Sequence, residues 1–333
     1  MNIDLSKDIY FDPRLGRLYA KMQNGEFYEY MFEDPLGTIQ HQFIIRPIDI
    51  PDEEGQIWYD LTTPYGYGGP LILNGKEEDK EELVRRFNDE FSQFCKEKKI
   101  VSDFIRFYPL GQDVKCFSSI YTTKLHNCTV GTNLEDHDDP FTEEFSKSTR
   151  KTIRKCLKNG LNYEIEKNPD TLTDFQEIYY QTMDRNEAAD GYYFDSEYFQ
   201  YFVDEMPERL LKCSVYYEDE VIAMGMYFLT DEVVHAHLSG TLSDYLHLSP
   251  AYILKYATLE WGLSNGIKLI HYGGGTTSDP EDSLFMFKKK FGKNTVFPFY
   301  LGTKIWDQDM YRYFVTKSNT DKAVFFPAYR AMK

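Results

Sequence analysis

From Leu238 to Gly292 the chain runs strand, helix start, strand, glycine turn and short helix, and the rest is organised around that order. Val233 to Gly240 is mostly apolar with alternating histidines and predicts a strand. Ser249-Pro250 is an N-cap followed by a first helical position, and Asn265-Gly266 is a stop. Ile267 to Tyr272, a short apolar run bounded by turn residues, suits a buried strand parallel to the first. A helix N-terminus therefore opens beside two strand ends. Its N–H groups and dipole at Ser249, Ala251 and Tyr252 predict a place for an anionic donor.

The first half repeats this plan. Phe43-Ile44-Ile45 and Ile57-Trp58-Tyr59 read as strands leading into Pro64-Tyr65-Gly66-Tyr67-Gly68-Gly69-Pro70 and the apolar pair Leu71-Ile72. Leu83, Phe87, Phe91 and Phe94 then recur at three- and four-residue steps, one apolar stripe of a helix over 81–99, and 104–110 is the next strand. The expected class is α/β with mixed sheets. In the Pro64–Pro70 loop the glycines, Gly68 and Gly69 among them, permit close backbone approach, and Tyr65 and Tyr67 either meet a ligand or fold onto the core.

Composition narrows the function classes. A chain of 333 residues with 42% hydrophobic content favours two ordinary domains. A net charge of −17 opposes non-specific attraction to nucleic acid or anionic membrane, so any polyanionic partner needs a local basic patch. One follows the acidic run Glu135 to Glu144: Lys147, Arg150, Lys151, Arg154, Lys155 and Lys158 span an arc of roughly 140° on a helix, opposite Phe145, Ile153, Cys156 and Leu157. The five cysteines are odd in number and widely spaced, which argues against a disulfide framework or structural zinc. His235 and His237 share a strand face without an evident third ligand, so no metal is expected. No stretch reads as a secretion signal or a membrane span, and the simplest location is the cytoplasm.

Polar residues crowd after the helix predicted over 172–183. Arg185 suits a phosphate or carboxylate of an acceptor, and Asp184 or Glu187 a base; each equally suits a helix-end ion pair. In the helix predicted over 284–291, Lys288 falls within the apolar arc of Leu284, Phe285, Phe287 and Phe291, whereas Lys289 and Lys290 fall outside it. A lysine on a buried face either snorkels or is used.

Five motifs in order, 146–155, Thr182-Met183-Asp184-Arg185-Asn186, His237-Leu238-Ser239-Gly240, Tyr272-Gly273-Gly274-Gly275 and 284–292, resemble those of the Fem-type transferases, members of the GNAT-like acyltransferases. With the Pro64–Pro70 loop, the likeness extends over most of residues 40–305. The resemblance implies two tandem GNAT-like domains: residues 1–140 as a substrate-binding half, and 141–333 carrying the catalytic motifs, with a C-terminal tail that returns to the first. It implies transfer of an activated acyl group to an amine. In peptidoglycan-bridge members the donor is an aminoacyl-tRNA and the acceptor a muropeptide precursor carrying a pyrophosphate; other relatives are acetyltransferases. Lys288 matches the first lysine of the family's Phe-Lys pattern, which implies a role at the reacting carbonyl or on a substrate phosphate.

Such chemistry needs an aligned amine, removal of its proton and donors for the oxyanion, but no permanently bound cofactor. The donor is acyl-CoA or aminoacyl-tRNA. The stretch Tyr245-Leu246-His247-Leu248-Ser249-Pro250 lacks the glycines that let CoA phosphates approach a helix start, which counts against CoA. Asp279, Glu281 and Asp282 would repel a phosphate beside Gly273, Gly274 and Gly275, so these glycines are read with Tyr272 and His237 as room for a substrate. Expected partners are a muropeptide-like or small-molecule acceptor and tRNA, with peripheral membrane contact only for a lipid-linked acceptor. The competing reading is a non-catalytic module that binds a nucleotide-sugar or peptide precursor.

Overall fold

The computed structural model describes residues 1, 3–111 and 113–331, and the chain divides into two compact units. The leading unit comprises Tyr10–His126 with Pro298–Lys333, and the central unit Met1–Ile9 with Asn127–Phe297. The division falls earlier than the boundary expected at residue 140. Chain order is a poor guide here because the last segment finds its partners in the first half.

The leading unit opens with helix α1 (Pro13–Met22), capped by Asp12, whose carboxylate accepts the Arg14 N–H at 3.0 Å. Strands β1 (Glu26–Asp34) and β2 (Gly37–Pro47) form an antiparallel hairpin. Strands β3 (Tyr59–Thr62) and β4 (Gly69–Gly75) pair with successive parts of β2. Helix α2 (Lys80–Glu97) buries Leu83, Phe87 and Phe91 against Phe43 and Ile105, the predicted stripe, each ring contributing about 1.5–3 kcal/mol of transfer free energy. Strand β5 (Ile100–Arg106) is parallel to β3 and starts four residues before the expected strand. The short helix α3 (Val114–Phe117) and the first part of β6 (Thr122–Asn133) follow.

In the central unit β6 leads through α4 (Pro140–Glu144) to α5 (Lys147–Lys158), which buries Ile153 and Cys156 and leaves Lys147, Lys151 and Arg154 exposed. Next come β7 (Asn162–Lys167), α6 (Thr173–Arg185) and α7 (Ser196–Glu205), then β8 (Leu210–Tyr217), β9 (Glu220–Leu229) and β10 (Val233–Thr241). Helix α8 (Pro250–Ser264), β11 (Leu269–Gly273) and α9 (Ser283–Lys289) complete it. The sheet order is β6-β11-β10-β9-β8-β7, antiparallel except for β10 with β11. Gly240 lets α6 approach β10: a Cβ there would stand 2.6 Å from Ile178 O.

The chain then returns to the leading unit through β12 (Val296–Ile305), whose Leu301–Ile305 pair antiparallel with residues 102–106 of β5, and α10 (Gln308–Ser318). Phe314 and Tyr329 join Ile48 and Val101 in a small core, which is why this segment belongs with the first half. Among the described residues no helix is long and apolar enough to cross a membrane.

The turn after α9 is held backbone to backbone. A Cβ on Gly292 would lie 2.0 Å from Gly131 O of β6, an overlap that no side-chain rotation relieves. Gly292→Ala is expected to lower stability by about 2–3 kcal/mol, seen as a lower urea midpoint with an unchanged slope.

Candidate active site

Strands β10 and β11 pair over only three residues, Val233–His235 with Leu269–His271. Beyond His235 a bulge between Ala236 and Leu238 keeps β10 on β9 as far as Thr241, while β11 shifts register between His271 and Gly273 and stays with β6. The two parallel strands therefore part toward their C-terminal ends. Helix α8 begins nine residues after β10 ends. A fork of this kind, with a helix start nearby, leaves backbone groups unpaired by sheet bonds and open to an extended ligand.

Lys288 stands at this end of β11. Its ammonium donates to Gly274 O at 2.6 Å, directly after the strand. Burial, then repulsion from Lys255, push its pKa down to about 7, against partial compensation from Asp282. Lys255, on α8, is itself buried, lies 4.8 Å from the centroid of the Tyr272 ring, and is pushed down by burial to about 8. Two lysines thus share a poorly solvated region, and each is poised near neutrality. Sequence reasoning missed Lys255.

Asp282 explains the glycine turn. Its carboxylate accepts the N–H and hydroxyl groups of Thr276 and Thr277 and caps α9 through the Phe285 N–H at 2.9 Å. The Phe285 N–H and the Thr276 hydroxyl lead the bonds that hold its pKa far below the usual carboxylate range. Gly275 must be glycine for this wrap, since a Cβ would come 2.3 Å from Asp282 Oδ1, and Gly273 takes a left-handed φ of 72°. The acid expected to repel a phosphate is instead consumed by the loop it organises.

Under the fork runs a buried hydrogen-bonded chain. His235 Nε2 lies 2.8 Å from Asp8 Oδ2, His235 Nδ1 lies 3.1 Å from His271 Nδ1, and His271 Nε2 lies 2.9 Å from Thr129 Oγ1. With Asp8 ionised, a consistent proton order is Thr129 to His271 to His235 to Asp8. Burial and the neighbouring His235 push His271 well below the ordinary histidine range and keep it neutral. Sequence separation hid this network.

Several predicted site residues are spent on packing. Tyr272 is buried and donates to Thr132 Oγ1 at 2.6 Å, since Thr132 itself donates to Phe291 O at 2.7 Å; its hydroxyl faces the interior, not a ligand. His237 is the bulge residue, stacked on Phe228 and bonded to Tyr198 Oη at 2.6 Å, and burial pushes it down to about 3. Ser249 does not cap α8 with its side chain; it adopts φ 59°, and its carbonyl accepts the Tyr252 N–H at 3.1 Å. Because Pro250 lacks an N–H, Ala251 sits in a first turn with fewer donors for an anion than the sequence suggests. The Tyr252 ring packs on Phe287 and Phe291.

Arg185 donates to Thr241 O at 2.7 Å and Ser243 Oγ at 3.2 Å, tying α6 to the end of β10. Asp184 accepts from Tyr193 Oη at 2.9 Å, and Glu187 is exposed with φ 49°. Among the described residues no ion pair or hydrogen bond joins Asp184 or Glu187 to Lys288, whose ammonium is held by Gly274 O. In the basic helix, Arg150 donates to Phe145 O at 3.0 Å and Arg154 lies over the Phe141 ring while remaining exposed, and Lys147, Lys151, Lys155 and Lys158 are solvated.

The Pro64–Pro70 loop belongs to the leading unit. Tyr67 packs edge-on against Tyr10 and Phe299, and Tyr65 leans on Tyr19 while remaining exposed. Gly68 exchanges backbone bonds with Arg106 and Tyr108, and Gly69 needs φ 89°. The glycines serve a close strand contact.

Residues 144–282 match the acetyltransferase (GNAT) domain family. No curated protein sequence matches the chain. Among solved structures, FemX is similar over 94% of each chain with a TM-score of 0.67 at 13% identity. A domain ascribed to a lysylphosphatidylglycerol synthetase from Agrobacterium fabrum is similar over 90% of this chain and 89% of that one, with a TM-score of 0.56 at 13% identity. A tandem GNAT protein from the clavulanic acid pathway is similar over 85% and 83%, with a TM-score of 0.50 at 9% identity. The parted parallel strands, the helix that follows them and these likenesses agree: residues 144–282 carry an acetyltransferase (GNAT) domain, and the chain has a Fem-type tandem fold.

Proposed function

We propose that the protein is an N-acyltransferase that moves an aminoacyl group from charged tRNA, or an acyl group from acyl-CoA, to an amine of a cell-envelope precursor or related small molecule. The observation that carries this reading is Lys288, a poorly solvated cation fixed on Gly274 O where the parallel strands have parted. In this reaction the acceptor nitrogen attacks the acyl carbonyl and forms an N–C bond. The C–O bond to tRNA, or the C–S bond to CoA, breaks; the amine loses a proton and the leaving oxygen or sulfur takes one. Lys288 neutralises the charge that builds on the carbonyl oxygen, an interaction worth most in a water-poor site. The central unit then carries the transfer chemistry and, through Arg185, part of acceptor recognition. Arg185 retains donors beyond those used on Thr241 and Ser243 and is assigned to an acceptor phosphate. The protein is placed in the cytoplasm, where both donors are made.

The weak first turn of α8 favours aminoacyl-tRNA over CoA. Mass spectrometry of products from a mixture of amine acceptors, supplied with acetyl-CoA or with charged tRNA, checks this. Product that disappears on ribonuclease treatment is expected. Product formed from acetyl-CoA alone would reverse the donor assignment, and no product with either donor would leave a binding module as the better reading.

A further inference from the structure

Among the described residues Arg106, in the leading unit, has no carboxylate partner. It closes β5, where residues 102, 104 and 106 share one sheet face by the two-residue period. The guanidinium stacks over the Phe104 ring at 5.1 Å, and among the described residues no carboxylate pairs with it. Burial, partly offset by the Tyr65 hydroxyl and reinforced by Arg46, lowers its pKa from the ordinary arginine range, yet an arginine stays charged at any physiological pH. On the same face Asp60 of β3 pairs with Ser102, and its one carboxylate serves two further guanidinium groups, Arg46 at 2.9 Å and Arg330. Two arginines therefore share a single acid, with Arg46 close enough to repel Arg106, in a chain whose net charge is −17. A half-buried guanidinium with no carboxylate partner among the described residues keeps N–H donors that an anion would complete.

We infer that Arg106, beside the Pro64–Pro70 loop and the Arg46–Asp60–Arg330 cluster, forms an oxyanion-binding site of the leading unit that takes a phosphate or carboxylate group. A planar fork stacked on an aromatic ring is held ready for two parallel N–H···O bonds. Tyr65, next to it and exposed, supplies a hydroxyl at the edge of the site. The inference is independent of the acyl-transfer reading, because an oxyanion binds here whether or not the protein catalyses anything.

Titration of the full chain with inorganic phosphate, followed by ³¹P NMR, and with acetate, followed by ¹³C NMR, at constant ionic strength tests it. Saturation at one equivalent by phosphate identifies a phosphate site, by acetate a carboxylate site, and by both a general oxyanion site. Arg106→Lys should weaken binding at least tenfold by losing the bidentate geometry, whereas Arg312→Gln, an exposed arginine elsewhere in the unit, should not. No saturation by either anion, or wild-type affinity in Arg106→Lys, would overturn the site. Should Arg106→Lys fold poorly, thermal melts of the wild type decide: the saturating anion should raise Tm more than chloride at equal ionic strength, and an equal rise with chloride would show screening alone.

Discussion

Lys288→Met is expected to lower transfer turnover by more than tenfold at saturating substrates while leaving the fold intact and the protein no less stable at pH 6. The two halves of this prediction have one cause. A lysine whose pKa falls from 10.5 unfolded to about 7 folded is held charged, below pH 7, in a place that disfavours charge. The unfolded chain binds the extra proton between pH 7 and 10.5, so native stability rises with pH across that window, and the cost of the lysine is fully present below it. That cost is on the order of a few kcal/mol, offset in part by the bond to Gly274 O. Methionine removes both, and its melting temperature relative to wild type should fall back as pH rises toward 10. Turnover by the wild type should decline above pH 7 as the cation is lost. A profile that climbs through pH 7 would make Lys288 a base instead, and unchanged turnover in Lys288→Met would take it out of the reaction.

Asp8→Ala is expected to cost about 3 kcal/mol, because it strands a buried imidazole. Asp8 and His235 are 2% and 1% exposed, so water cannot replace the carboxylate without opening the core. The loss should pass along His271 to Thr129, and Asp8→Asn, which keeps an acceptor oxygen, should cost less than half as much. Urea denaturation of the two variants checks this; equal, small effects below about 1 kcal/mol would mean that the chain of bonds contributes little.

Legibility in the sequence followed periodicity. Helix α2 could be drawn residue by residue because Leu83, Phe87 and Phe91 repeat on one face, and α5 because its charges and apolar residues separate cleanly. The same projection placed Lys288 on a buried face. It could not place Lys255, because α8 buries Ile253, Leu254, Ala257, Thr258 and Leu259 around much of its circumference and offers no single stripe to measure against; a lone lysine in such a helix was the available signal. Strand β1 was invisible because its aromatics are interspersed with acids on a mostly solvated strand. The fork was illegible too. It depends on a bulge at His237 and a register shift at Tyr272, and neither residue type announces one.

The interleaving of the units bears on how the chain acquires its structure. The central unit needs Met1–Ile9 and residues through Phe297, and the leading unit needs Pro298–Lys333 as well as Tyr10–His126. Neither can finish as its residues leave the ribosome, so the usual order in which an N-terminal domain completes first is closed to this protein. The half-formed sheet that waits for β12 exposes an unpaired edge throughout synthesis, an interval in which chaperone capture competes with aggregation.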